Sequence, residues 1–217
     1  MGKKVEPIVS AMGVFMSFIN GLVEAVKNLG GTMESIYKLA TSEGAETLKK
    51  IAEIIVKDNQ PKNPFLRLIS GNESLIIKAL TGKLTIAEAK KTFKSYIDLD
   101  FKNWNLNKAG QKTGQIPKTD VYELVADATF VQMFGSLSDN LDKLVMSQSQ
   151  IIEFCEKYPT WLRQDGYATF FLIKEDGKYF VVSVRVGGVG LSVDVDRFED
   201  DYVWGAERRR RLVVPQL

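Results

Sequence analysis

The fold class is decided by residues 168–185, which read ATFFLIKEDGKYFVVSVR. Aromatic and β-branched residues fill both halves of this stretch, and such residues favour strands. Asp176-Gly177 stands between the halves, and this dipeptide is a strong signal for a two-residue hairpin turn. Glu175 and Lys178 would then face each other as an ion pair across the two strands. The stretch therefore predicts a β-hairpin.

Two more strands are expected after the hairpin. Apolar and polar residues alternate over 191–195, following a glycine-rich turn at 187–190, and a last strand is predicted over 209–214. Helical patterns fill most of the chain before residue 160, so helices come first and an antiparallel meander comes last. This order predicts an α+β fold, with an N-terminal helical region and a small C-terminal domain whose sheet has three to four antiparallel strands.

The pattern divides the chain into three regions. Residues 1–60 form a hydrophobic helical assembly region, residues 61–100 carry short helices, and residues 101–217 form an α+β domain that ends in the meander. The short helices are expected at 65–69, at 73–80 and from Thr85 onward, where Thr85 and Glu88 have capping-box spacing. A further helix is expected over 120–134, because Asp120 and Glu123 have the same spacing.

The first helix, expected over 5–29, carries an apolar seam. Its residues recur at alternating spacings of four and three, which is the heptad pattern that keeps one seam facing a partner helix. The seam consists of Ile8, Met12, Phe15, Ile19, Leu22 and Val26. A second row, made of small residues, would allow another helix backbone to approach closely. That row consists of Gly13, Ser17, Gly21 and Ala25. The preferred hypothesis is therefore a non-catalytic binding or assembly protein that associates with itself or with a protein partner.

The same helix leaves two other interpretations open. Residues 7–23 contain no charge, but as a helix they would be about 25 Å long, against a bilayer core of about 30 Å. Membrane association through residues 7–23 is one alternative, and a cleaved export signal is another. A cytoplasmic location is preferred, because a short apolar helix is typical of a buried or oligomer-forming element.

The amino-acid composition excludes several kinds of catalytic site. The chain has no histidine and one cysteine, which excludes Ser-His-Asp and Cys-His catalysis, an internal disulfide and multi-cysteine metal sites. Cys155 lies in an apolar helical setting, so an inert core thiol is expected. Asp194 and Asp196 share a strand face and could form a carboxylate pair for a hydrolase. A non-enzyme without a cofactor or bound metal is preferred.

A basic segment suggests a second function. Residues 83–118 contain eight lysines and three acidic residues, interleaved with aromatic residues, whereas the whole chain has a net charge of +2. Lysines neutralise phosphates and aromatic rings stack on bases, so single-stranded nucleic acid is an alternative partner. The candidate contacts are Lys102, Trp104, Lys108, Lys112, Arg209 and Arg211. The two arginines belong to the run Arg208–Arg211, whose side chains would alternate along a strand.

Several short motifs in the last 115 or so residues resemble a set of uncharacterised proteins of candidate-phylum bacterial genomes. The matching elements are Phe101-Lys102-Asn103-Trp104, Asp165-Gly166-Tyr167-Ala168 leading into Phe170–Ile173, the Asp176-Gly177 hairpin, and Trp204 before an arginine-bearing strand. The resemblance implies a bacterial source. It implies no activity and no site residue.

Overall fold

The computed structural model describes residues 6–59, 63–71 and 73–216. The chain forms two compact units, Met1–Pro61 and Lys62–Leu217, called here the N-terminal and the C-terminal unit. The N-terminal unit contains three helices, α1 (Glu6–Asn28), α2 (Met33–Leu39) and α3 (Ala45–Asn59). Glycine follows the end of α1: Gly30 has a φ of 81°, and the Gly31 amide donates to the carbonyl of Val26.

The C-terminal unit is built on one sheet. Within the described residues it has eight strands in the order β1-β4-β8-β5-β6-β7-β3, and β2 also pairs with β4. The strands are β1 (Leu66–Leu68), β2 (Leu75–Ile77), β3 (Tyr96–Ile97), β4 (Ile116–Leu124), β5 (Ala168–Glu175), β6 (Lys178–Gly187), β7 (Gly190–Arg197) and β8 (Arg211–Pro215). The helices of this unit are α4 (Asp100–Asn103), α5 (Phe130–Gly135) and α6 (Gln148–Lys157).

Apolar side chains cover both faces of the central strands. Phe170 and Phe171 are neighbours on β5, so they point to opposite faces, and both are fully buried. Phe130 of α5 meets Phe170 edge to face, with ring centroids 5.1 Å apart. On the other face, Phe154 of α6 meets Phe171 in the same way at 5.6 Å. The sheet is therefore the middle layer of the unit.

The predicted hairpin is confirmed. Glu175 and Lys178 are cross-strand partners, and Asp176 and Gly177 have φ values of 48° and 78°. Both turn residues thus have the positive φ that a type I′ turn requires. The predicted ion pair between Glu175 and Lys178 is wrong, since among the described residues these two side chains form no salt bridge and Glu175 accepts from Gln148 instead. Strands β5, β6 and β7 follow one another as antiparallel neighbours, as expected for a meander.

The predicted sheet of three to four antiparallel strands is wrong. The sheet is larger, and it is mixed because β3 runs parallel to β7 and β5 runs parallel to β8. The last strand does not extend the meander beyond β7 but lies between β4 and β5. Residues 211–215 therefore lie in the middle of the sheet rather than at its edge, and residues 212–214 are buried.

The short helices predicted over 61–100 are also wrong, since this region supplies β1, β2 and β3. Asn63 resembles a helix cap, because its Oδ1 accepts from the amides of Phe65 and Leu66, but a strand follows it. At Thr85 the capping-box residues are followed by a single 3-10 turn over Ile86–Glu88. Strands of two or three residues are too short to show an alternating pattern.

The helix predicted over 120–134 begins much later than expected, because residues 116–124 form β4 and only α5 is helical. Glu123 does not cap a helix. Its carboxylate instead pairs with Arg67 of β1 at 2.6 Å, and the two residues are cross-strand partners. The spacing that indicated a capping box therefore reflects an ion pair with a residue far away in the sequence.

Gly82 is a position where the fold requires glycine. Its φ is 74°, and a Cβ there would lie 1.9 Å from the carbonyl oxygen of Gln111. We expect Gly82→Ala to lower the stability of the C-terminal unit by about 2 kcal/mol or more, because the backbone is strained and the loop at 108–113 must move. This corresponds to a melting temperature lower by about 4–8 °C.

The matched control is Gly135→Ala, since a Cβ at Gly135 meets nothing within 4 Å. Thermal unfolding should show this variant to be as stable as the wild type or slightly more so. Equal melting temperatures for the two variants would contradict the close packing at Gly82.

Candidate functional site

Charged and aromatic residues gather at the two opposite ends of β5. One end is the turn at Asp176-Gly177, called here the hairpin end. The other lies where β5 begins, next to Arg211 of β8 and Arg185 of β6, and is called here the arginine end. A strand of eight residues separates the two by roughly 25 Å.

At the hairpin end, Trp104 is half-buried. Its ring lies 5.9 Å from that of Phe180, and the guanidinium of Arg197 lies 5.0 Å from its centroid. Lys108 pairs with Asp176 at 3.0 Å. The Trp104 ring is therefore already in contact with two protein groups, which limits its use as a stacking platform.

A cavity of about 470 Å³ lies beside the hairpin end. Lys108, Lys112 and Lys174 line it together with Glu175, above buried Met146 and Ile173. This volume is in the range of small-molecule sites.

Carboxylates lie close to the lysines that line this cavity. Lys174 pairs with Asp142 at 2.6 Å, and this hydrogen bond, with a second from Tyr179, lowers the pKa of Asp142. Burial raises the pKa of Glu175. The cavity thus combines cations with nearby carboxylates and does not concentrate charge of one sign.

The arginine end is organised around Tyr167. The guanidinium carbons of Arg163, Arg208 and Arg210 lie 5.8, 5.2 and 6.0 Å from its ring centroid. Arg208 also donates a hydrogen bond of 2.6 Å to the Tyr167 hydroxyl. Three cations therefore share one aromatic ring, in the distance range of cation–π contacts.

Only part of this charge is neutralised. Arg163 pairs with Asp165 at 3.5 Å and Arg208 with Glu207 at 3.2 Å. Arg210 lies 4.7 Å above the ring of Trp204 and donates to the carbonyl of Gly205, and burial lowers its pKa. Arg209 is exposed and has a φ of 47°. Within the described part of the C-terminal unit, neither Arg209 nor Arg210 forms an ion pair.

The six residues predicted to contact nucleic acid fall into two groups. Trp104, Lys108 and Lys112 lie near the hairpin end, and Lys102 is exposed on α4. Arg209 and Arg211 lie at the arginine end. The predicted alternation along the arginine run does not occur, because residues 206–208 form a 3-10 turn and β8 starts only at Arg211.

Arg211 has a structural role. Its Nη1 donates to the carbonyls of Thr160, Trp161 and Leu162, at 3.2, 3.0 and 3.1 Å. These bonds close the 3-10 turn at 159–161. Sequence reasoning missed Arg163, Tyr167, Arg210 and Trp204 as members of this cluster, since the parallel pairing of β5 with β8 brings together segments about 45 residues apart.

The assembly seam is partly visible in the N-terminal unit. The side chains of Ile8 and Met12 lie outside the described part of the structure. Phe15 is exposed, and Ile19, Leu22 and Val26 are half-buried. In the described segments no helix combines the length and hydropathy needed to cross a bilayer.

Asp194 and Asp196 lie on β7 and have protein partners. Asp194 contacts the guanidinium of Arg185, and Asp196 accepts a hydrogen bond of 3.1 Å from the Ser183 hydroxyl. Burial is the largest cause of a raised pKa at both carboxyls. Among the residues that the structure describes, no group of three or more Cys, Asp or Glu side chains could hold a metal ion.

No protein-family model, curated protein sequence or solved structure matches this chain. The resemblance to proteins of candidate-phylum bacteria therefore stays a prediction.

The pKa of Asp196 leads to a test of the polar pair on β7. Because burial raises this pKa in the folded state, the folded protein binds more protons than the unfolded chain just above the ordinary value of 3.8, and stability falls as pH rises through that window. Asp196→Asn keeps an acceptor for Ser183 and removes the charge. We expect its melting temperature to equal or exceed that of the wild type at neutral pH.

The comparison variant is Asp194→Asn, which leaves Arg185 without its partner. The pKa of Asp194 is raised as well, but Asp194→Asn also removes the ion pair with Arg185, so its melting temperature at neutral pH should lie about 2–4 °C below that of Asp196→Asn, or about 1 kcal/mol in stability. Thermal unfolding that shows an equal loss for both variants would contradict the different roles of the two carboxyls.

Cys155 is buried on α6, as expected, and burial raises the pKa of its thiol. We expect this thiol to be unreactive towards a disulfide reagent such as DTNB in the folded protein and to react stoichiometrically in urea. Rapid labelling under native conditions would show that the helix opens locally or that the thiol is accessible.

Proposed function

We propose that this chain is a non-catalytic assembly protein whose N-terminal unit self-associates through α1. The observation that supports the proposal most directly is the exposure of apolar side chains in that unit. Among residues 13 and 15–52, whose exposure is described, Gly44 alone is buried. The exposed large side chains are Phe15, Met16, Phe18, Leu29, Met33, Tyr37 and Leu48.

Helices in proteins gain most of their stability from packing an apolar face. In the described part of the N-terminal unit, α1 is long but its Phe15 side chain is 57% exposed. Large apolar side chains left exposed on one helix, such as Phe15, Met16 and Phe18, are typical of a protein interaction site. A partner that covers it would supply the burial that α1 lacks.

The glycines of α1 favour another helix as that partner. A Cβ placed on Gly13 or Gly21 would meet nothing within 4 Å in the described structure. Each interior glycine costs a helix roughly 1 kcal/mol relative to alanine, so packing within the described chain gives no reason for their presence. Close approach of a second helix backbone would give one.

A second copy of α1 fits this description. The alternating four-and-three spacing of the seam is the repeat that two like helices use to interlock their side chains. At about 100° per residue the seam and the row of small residues follow different faces of α1, so a second copy can interlock its side chains with one face or bring its backbone close to the other. Membrane association through residues 7–23 is the alternative, in which lipid covers the same side chains.

Sedimentation velocity of the full-length protein over a range of concentrations tests the proposal. We expect the wild type to sediment as a dimer or larger species, and Phe15→Glu/Phe18→Glu as a monomer, because charge on this face prevents its burial. Both side chains are exposed, so circular dichroism should show unchanged helix content.

Two further variants make the result specific. Gly21→Leu raises the helix propensity of α1 but blocks close approach, so we expect association to weaken while helix content is kept or increased. Val189→Glu places the same charge on a 79% exposed apolar residue of the C-terminal unit and should leave association unchanged. A wild type that is monomeric at every concentration refutes self-association. If that monomer floats with liposomes and Phe15→Glu/Phe18→Glu does not, lipid covers the face instead.

A further inference from the structure

We propose that the arginine end of the C-terminal unit binds single-stranded nucleic acid, with Arg209 and Arg210 contacting phosphates and Tyr202 stacking on a base. This inference does not depend on self-association through α1. It rests on three observations at the same end of the sheet: converging guanidinium groups, two arginines that form no ion pair with the residues that the structure describes, and an exposed aromatic ring.

The first observation is the density of positive charge. Like charges repel, and the repulsion between Arg163, Arg208 and Arg210 around Tyr167 is offset only where carboxylates lie close. Asp165 and Glu207 do this for Arg163 and Arg208. Six of the eight arginines of the chain lie in segments 163, 185 and 208–211, which meet at this end of the sheet. An anionic ligand would relieve the repulsion that remains.

The second observation concerns Arg209 and Arg210, which form no ion pair among the described residues, although the charge of Glu207 acts on Arg210. Arg209 is exposed, and its left-handed backbone is uncommon for a residue with a side chain. Arg210 is fixed by its contact with Trp204 and by its bond to the Gly205 carbonyl, which leaves its other N–H groups available. A guanidinium held in one orientation is suited to a phosphate, whose oxygens accept two parallel hydrogen bonds.

The third observation distinguishes nucleic acid from an acidic peptide. Tyr202 is 58% exposed, and its ring meets Trp204 edge to face, with centroids 4.8 Å apart. The guanidinium of Arg210 lies over the ring of Trp204, so Trp204 contacts both this guanidinium and the exposed ring of Tyr202. A single strand offers bases to such a ring, whereas an acidic peptide offers carboxylates alone and a duplex keeps its bases stacked internally.

The experiment measures binding of the full-length protein to fluorescent single-stranded DNA and RNA oligonucleotides of about a dozen nucleotides, by anisotropy at several salt concentrations. We expect affinity to fall linearly with salt on logarithmic axes. Arg209→Gln should reduce the magnitude of the slope by about 0.7, the value for one lost phosphate contact to a single strand. Tyr202→Leu should weaken binding about tenfold, because the base loses its aromatic partner.

The matched control is Arg197→Gln, which removes the same charge at the hairpin end, beside Trp104. It should leave both affinity and slope unchanged. If it lowers the slope and Arg209→Gln does not, nucleic acid binds at the other end and the proposal is wrong.

Competitors define the ligand class. Unlabelled single strands should displace the probe, whereas polyglutamate and a DNA duplex of the same length should do so poorly. Efficient displacement by polyglutamate would indicate a surface for acidic peptides and refute the proposal. A duplex that competes as well as a single strand, both with the wild type and with Tyr202→Leu, would exclude base stacking.

Absence of binding to any single strand at low salt also refutes the proposal. Arg209 and Tyr202 are exposed, so equal melting temperatures of their variants and the wild type would verify that folding is intact.

Discussion

Burial of β5 on both faces is the constraint on which the C-terminal unit depends. Phe170 and Phe171 are adjacent in sequence, so a strand must send them to opposite sides, and each needs its own apolar cover. Helix α5 and α6 supply these covers through Phe130 and Phe154. A strand buried on both faces also needs hydrogen-bonding neighbours on both edges, because unpaired backbone groups are costly away from water. Strands β6 and β8 meet that need.

Local signals in the sequence were sufficient for the hairpin, the meander and the first helix. The Asp176-Gly177 turn, β5 to β7 and α1 each depend on residues within a few positions of one another. Strand β4 shows where such signals fail. Asp120 and Glu123 have the spacing of a helix cap, yet Glu123 bonds to Arg67, 56 residues earlier. No local pattern contains that information, and the same is true of the parallel position of β8.

For the candidate sites, the sequence indicated which residue types are present but not which side chains meet. The run Glu207–Arg211 is conspicuous in the sequence, but nothing in it indicates that Arg211 closes a turn at 159–161 while Arg210 lies on Trp204. The basic segment at 83–118 is equally conspicuous, yet its Trp104 is occupied by Arg197 and Phe180. In both cases the composition indicated positive charge beside aromatic rings. Which of these side chains remain accessible depends on contacts with residues that are distant in the sequence.

The position of β8 in the sheet explains both the fold and the cluster of arginines at one end of it. As an edge strand beyond β7, the arginine run would have reached solvent on one side and served only to prevent edge-to-edge pairing. Inserted between β4 and β5, its apolar residues are buried, so its charged N-terminal residues are held at the start of β5, next to Arg163 and Tyr167. Repulsion among these arginines opposes folding, and the apolar burial of Leu212 and Val213 must exceed it. A chain with a net charge of only +2 thus concentrates guanidinium groups at one end of its sheet, and the local convergence, not the net charge, determines what that end attracts.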